Sequence, residues 1–177
     1  MSKRPSRRGS SEPTQTKGAV QERIRQMLIL ERLCSRFHRV VQQLRSRPAE
    51  RPPFLVNDEY DVQDLLHALL TLEYDDVRPE TWTPGYAGGE TRTDFLLKLE
   101  QIVMVAKWVR SDFNPQVLSE QLQTDVQRYQ PRPECRTVVC FVYDPERQIA
   151  NPRGVENELN HEQDGLSLRV IIAPKGV

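Results

Sequence analysis

The sequence predicts an α/β domain preceded by a long amphipathic helix, and three observations carry that prediction. Val20, Ile24, Met27, Leu30, Cys34, Phe37, Val41 and Leu44 recur at alternating steps of three and four, the period of one helical face. The runs Thr137 to Tyr143 and Leu168 to Ala173 are almost wholly apolar, as suits strands buried on both faces. After the long helix, the periods give the order helix, strand, strand, helix, strand, strand.

Residues 1–18 are rich in Arg, Ser and Pro and have no apolar period. Such a stretch buries too little surface to offset its ordering entropy, so it is expected to be a disordered basic tail. The amphipathic helix is expected over residues 19–47. It stops before Pro48, and Pro52 and Pro53 make a stiff link, because proline lacks the amide donor of a helix interior. Its apolar face would pack on its own domain or pair with a partner.

Residues 48–177 are expected to form the domain proper. A helix is expected from Asp58 to Tyr74, with Val62, Leu65, Leu66, Leu69 and Leu70 inward. Asp58, Glu59 and Asp61 stand at its start, where the helix dipole favours negative charge. Pro79 to Gly89, with Pro84, Gly85, Gly88 and Gly89, reads as a loop. Strands follow at Thr93 to Leu99 and Ile102 to Val109 with a tight turn at Glu100 and Gln101. A helix is expected from Pro115 to Tyr129. The polar stretch Asp144 to Asp164 reads as loop with a short helix from Gly154 to Leu159.

A chain of 177 residues suits one domain with an appendage. Basic and acidic residues balance at 25 each, so any attraction to nucleic acid must come from local patches. One such patch is Lys3, Arg4, Arg7, Arg8 and Lys17, which attracts phosphate only nonspecifically. The absence of a signal peptide, and of a run of about 18 apolar residues, leads to the expectation of a reduced, cytoplasmic protein with no membrane partner. Cys34, Cys135 and Cys140 lack zinc spacing and read as buried thiols, and His38, His67 and His161 are too scattered to form a ligand set. No GxxxxGK[ST] loop is present, so the chain has no nucleotide-driven motor of its own and partners are expected.

Metal-dependent phosphodiester cleavage needs carboxylates to hold the cation and commonly a lysine to orient the attacking water. An Asp on one strand of a hairpin and Glu-x-Lys on the next would share one face, since residues two apart in a strand point the same way. Asp94 fits the first position and Lys107 the last.

Five stretches carry a resemblance: DEYDVQDLLHALL (Asp58 to Leu70), RPETWTPGYAGG (Arg78 to Gly89), TRTDFLL (Thr91 to Leu97), CFVYDPE (Cys140 to Glu146) and IANPRG (Ile149 to Gly154). In this order they resemble a bacterial family of PD-(D/E)XK nuclease-domain proteins related to restriction endonucleases. The similarity spans roughly Arg32 to Gly176. The resemblance implies a restriction-endonuclease-like mixed central sheet flanked by helices, and cleavage of nucleic acid with Mg²⁺ or Mn²⁺ in restriction, repair or defence. DNA is expected ahead of RNA. It also implies a homodimer, or a protein partner held through the N-terminal helix.

Where that family has Glu-x-Lys, this chain has Val105, Ala106 and Lys107, so one carboxylate is missing. Asp94 and Lys107 are the expected catalytic residues and Asp94 the expected metal ligand. Asp125 or Glu59 is the alternative source of the missing acid, with Asp64 and Gln121 as auxiliary residues. Gln121 and Asp125 are one helical turn apart, with Arg128 on the same side, and related nucleases sometimes place a site residue on this helix. Glu100 has the wrong strand parity and would need a bulge to reach the site. The competing readings are a surface salt bridge for Asp125 and a solvated strand residue for Lys107. Trp82 and Tyr86, beside Arg78 and Arg92, would either stack a base or cover a core edge. Two functions stay open: a metal-dependent endonuclease with a relocated acid, or a catalytically inactive nuclease-like subunit that binds nucleic acid or a partner protein.

Overall fold

The computed structural model describes residues 17–48, 51–82 and 92–175. Residues 1–16 of the expected tail and most of the expected Pro79 to Gly89 loop lie outside them. The long helix α1 runs Lys17–Arg45, and α2 runs Glu59–Leu70. The side chain of Asp58 caps α2 by accepting from the Asp61 N–H, so the acids at its start satisfy amides that the helix itself leaves open. The strands β1 (Val77–Trp82), β2 (Arg92–Leu97) and β3 (Ile102–Trp108) follow, then α3 (Pro115–Tyr129), β4 (Thr137–Tyr143), α4 (Pro152–Leu159), β5 (His161–Gln163) and β6 (Leu166–Ala173).

The six strands form one mixed sheet in the order β1-β2-β3-β4-β6-β5. β1, β2 and β3 are joined antiparallel, β3, β4 and β6 lie parallel, and β5 returns antiparallel on β6. The continuous apolar runs are therefore the central strands, buried on both faces as parallel strands are. Helices cover each face. On one, α1 and α2 bring Leu30, Cys34, Phe37, Val62, Leu66 and Leu70 against Phe95, Met104, Phe141 and Ile171. On the other, α3 and α4 bring Leu118, Leu122, Tyr129 and Val155 against Leu96, Val103, Val105, Cys140 and Ile172. The three thiols are free and buried.

Two strands escape the periodicity. β1 occupies Val77–Trp82, where a loop was expected from Pro79. An edge strand tolerates proline because the missing N–H can face away from the ladder. β5 is exposed along its length and so shows no apolar alternation. Its signal is the turn Asp164-Gly165, with φ of 51° and 79°, the pair that a tight hairpin turn selects. Beyond β5, the outer edge of β6 is covered by α4: Val170 N–H donates to Asn160 Oδ1 and Ile172 N–H to Glu156 Oε1, both at 2.7 Å. Elsewhere the shifts are small, α2 ending at Leu70 rather than Tyr74 and α4 starting at Pro152 rather than Gly154.

Candidate active site

The β2–β3 ladder holds only from Leu97↔Ile102 to Phe95↔Met104, although β2 reaches back to Arg92 and β3 on to Trp108. Past that rung the strands part. Val109 N–H donates to Tyr143 O on the β4 side, so by alternation Trp108 N–H is turned toward the gap. Glu59 Oε2 accepts it at 3.3 Å. From the other strand, Thr93 N–H donates to Gln63 Oε1 at 3.3 Å. Glu59 and Gln63 lie one turn apart on α2, so this helix supplies acceptors to both arms of the fork.

Asp94 follows Thr93 and Lys107 precedes Trp108, so both expected catalytic residues sit on the parting arms. Strand parity turns Asp94 with Leu96, and Lys107 with Val103 and Val105, toward the α3 face. Asp94 is 1% exposed and Lys107 6%. The competing reading of Lys107 as a solvated strand residue therefore does not hold.

The partners come from α3. Asn114 caps that helix by accepting from Gln116 N–H, and Pro115 occupies its first turn, where no amide partner is needed. Three turns on, the buried face presents Asp125 and Tyr129, one turn apart. Tyr129 OH donates to Asp94 Oδ2 at 2.6 Å. Lys107 Nζ stands 3.7 Å from Asp125 Oδ2, and Asp125 is 1% exposed, so this is a buried ion pair rather than a surface one. Burial, then the Asp94 charge and hydrogen bond, push the Tyr129 phenol far up, against the pull of Arg128. Tyr129 is therefore a fixed proton donor at any working pH. The Arg128 and Arg132 guanidinium carbons lie 5.7 Å and 5.2 Å from the centroid of its ring, and Arg132 also pairs with Glu80 of β1.

Val105, where the lysine's carboxylate would stand, is wholly buried in the apolar layer. The carboxylate that pairs with Lys107 is that of Asp125 on the facing helix. Gln121 lies half-buried one turn before Asp125, Asp64 is exposed on α2, and Glu100 is in the β2–β3 turn. Glu59 belongs to a helix on the opposite face and serves the Trp108 amide. Arg78 is paired with Asp76, whereas Tyr86, Gly88 and Gly89 and the side chains of Trp82 and Arg92 fall outside the described residues. Sequence reasoning missed Tyr129 and Gln63. Tyr129 had a signal, its i+4 spacing from Asp125.

Among the described residues no group of three or more His, Cys, Asp or Glu is placed to hold a metal ion. Mg²⁺, however, commonly takes one or two protein carboxylates and completes its shell with water and substrate phosphate. Asp94 and Asp125, projecting to one face beside a lysine, fit that smaller donor set.

No helix among the described residues is long and apolar enough to cross a membrane. No curated protein and no solved structure matches the chain. The family model described as REase_DpnII-MboI matches residues 28–175, which includes the sheet, the fork and all of α3. The chain thus belongs to the DpnII-MboI family of restriction endonucleases, a nuclease family whose substrate is DNA.

Proposed function

We propose that the chain hydrolyses phosphodiester bonds of DNA with Mg²⁺ or Mn²⁺, using Asp94 and Asp125 as ligands and Lys107 to orient water. The observation that carries this reading is the approach of Lys107 to Asp125 at 3.7 Å, on the face where Val105 offers no carboxylate. When bound, the cation would lower the pKa of a water and offset charge developing on the phosphate. Tyr129 holds one oxygen of Asp94 and so fixes the orientation of its carboxylate. Lys107 is held beside Asp125 and can donate hydrogen bonds to water or to a phosphate oxygen. The apolar layer of Val103, Val105 and Leu122 walls the cluster from bulk water and strengthens its electrostatics. Family membership supports a setting in restriction or defence, and the free thiols support a reducing, cytoplasmic one.

The burial of both acids favours a second reading, an inactive subunit that binds DNA through the same fold. Incubating plasmid and linear duplex with the protein in Mg²⁺, in Mn²⁺ and in EDTA separates the two. Cleavage that needs the cation, and is lost in Asp94→Asn, Lys107→Ala and Asp125→Asn, supports the nuclease. Binding of duplex without cleavage in either cation overturns it in favour of the inactive subunit.

A further inference from the structure

The parallel strands β4 and β6 begin on a polar row that the core does not use. Thr137 opens β4 and Ser167 stands beside it on β6. Strand parity turns both, with Arg169, toward the α1 face. Thr137 and Ser167 are buried, yet among the described residues their hydroxyls meet no hydrogen-bond partner. Over this row lies the first half of α1, where Arg23, Met27 and Glu31 recur four apart and so share a face. Between helix and strands runs a groove of about 620 Å³, lined by all of these residues and walled on its apolar side by Met27 and Ile102. That volume falls in the range of small-molecule sites, about 300–1,000 Å³.

The groups left open in the groove define its occupant. Among the described residues Arg23, Arg169 and Glu31 are in no salt bridge, whereas Glu22, also on the lining, accepts from Gln26. Two guanidinium groups offer forked donors to an anion. The Glu31 carboxylate only accepts, so it calls for N–H or O–H donors, and the Thr137 and Ser167 hydroxyls can do either. An inorganic anion would leave Glu31 and the apolar wall unused, and an apolar molecule would strand the charges. A nucleoside monophosphate answers every group: phosphate to the arginines, ribose to the hydroxyls, base against Met27 and Ile102. Its base edge then meets Glu31, and guanine presents two adjacent N–H donors that match the two oxygens of one carboxylate. We infer that this groove is a binding site for a nucleoside monophosphate, with guanine the base that fits it best. The inference stands apart from the cleavage reading. The groove lies on the α1 face, whereas Lys107 points to the α3 face at the Val142 rung of β4, ~16 Å along the strand from Thr137.

The test is isothermal titration calorimetry of the full chain, without DNA or divalent metal, against guanosine monophosphate, uridine monophosphate, guanosine and inorganic phosphate. Guanosine monophosphate is expected to bind one to one and more tightly than the other three. Arg169→Gln and Arg23→Gln are each expected to weaken it about tenfold, the loss of one charge-assisted hydrogen bond. Glu31→Gln should erase the preference for guanosine over uridine monophosphate. Arg23 and Glu31 are exposed, so those two variants keep the fold, as circular dichroism would verify. Lys107→Ala should bind the nucleotide as the wild type does. A wild type that binds neither nucleotide, or that binds inorganic phosphate or guanosine as tightly as guanosine monophosphate, would overturn the inference. So would affinity lost in Lys107→Ala but kept in Arg169→Gln, which would place the nucleotide among the acids of the α3 face. Binding that appears only after removal of residues 1–16 would overturn it too, by giving the groove to the chain's own leading segment.

Discussion

The charges of Asp94, Lys107 and Asp125 on the α3 face are almost without solvent, so each depends on a particular partner. Tyr129→Phe would leave the Asp94 oxygen without its donor, at a cost of about 1.5–3 kcal/mol for a hydrogen bond to a charged group. Urea unfolding should show that loss as a lower midpoint with an unchanged slope. Asp125→Ala should cost more, about 3–5 kcal/mol, since it strands Lys107 as an uncompensated buried charge. That Asp94 and Lys107 share a face was legible in the sequence because strand parity is strict. Asp125 was legible as one of several acids within reach, but helical spacing alone did not say which acid met the lysine. Tyr129 carried only the signal of its i+4 spacing from Asp125, because an aromatic at the end of a helix otherwise reads as core, and only the fold brings it to a residue 35 positions away.

At the level of elements, α2 acts as the wedge of the fork. Its Glu59 and Gln63 accept the Trp108 and Thr93 amides that a continued β2–β3 ladder would have paired, so these two donors keep partners where the strands part. Gln63→Ala should therefore speed hydrogen exchange at the Thr93 amide, and should cost about 1 kcal/mol. Exchange at the paired residues Phe95 and Met104 should change less. Equal acceleration throughout the two strands would show that Gln63 acts on global stability instead. The sequence announced α2 through its apolar period and acidic start, and β3, β4 and β6 through their apolar runs. It hid β1 and β5, edge strands whose polar residues carry no alternation, and it hid the fork, because strand patterning does not register where a ladder ends.

For the molecule as a whole, the two helical layers seal the sheet and set its response to chemistry and pH. Burial pushes the Cys135 thiol up to about 12 and raises the Cys34 thiol strongly. Both should resist a disulfide reagent at pH about 8 and react on unfolding, since the thiolate is the reactive form. Burial likewise raises the phenols of Tyr74 and Tyr129, and that of Tyr143 to about 12. The folded state thus holds these protons more tightly than the unfolded one. Their contribution is complete below about pH 10, the unfolded value, and is lost as the pH climbs through the folded values. Thermal melts should fall steeply above that pH, and Tyr129→Phe should flatten the decline.

The central claim is that Asp125 replaces the carboxylate that Val105 lacks, and the most direct measurement is plasmid cleavage by a paired set of variants in Mg²⁺ and Mn²⁺. Asp125→Asn should abolish cleavage, and Val105→Glu placed in that background should restore it, because the new acid would share the face of Asp94 and Lys107. A wild type that cleaves and an Asp125→Asn variant that cleaves equally well, both folded by circular dichroism, would contradict the claim.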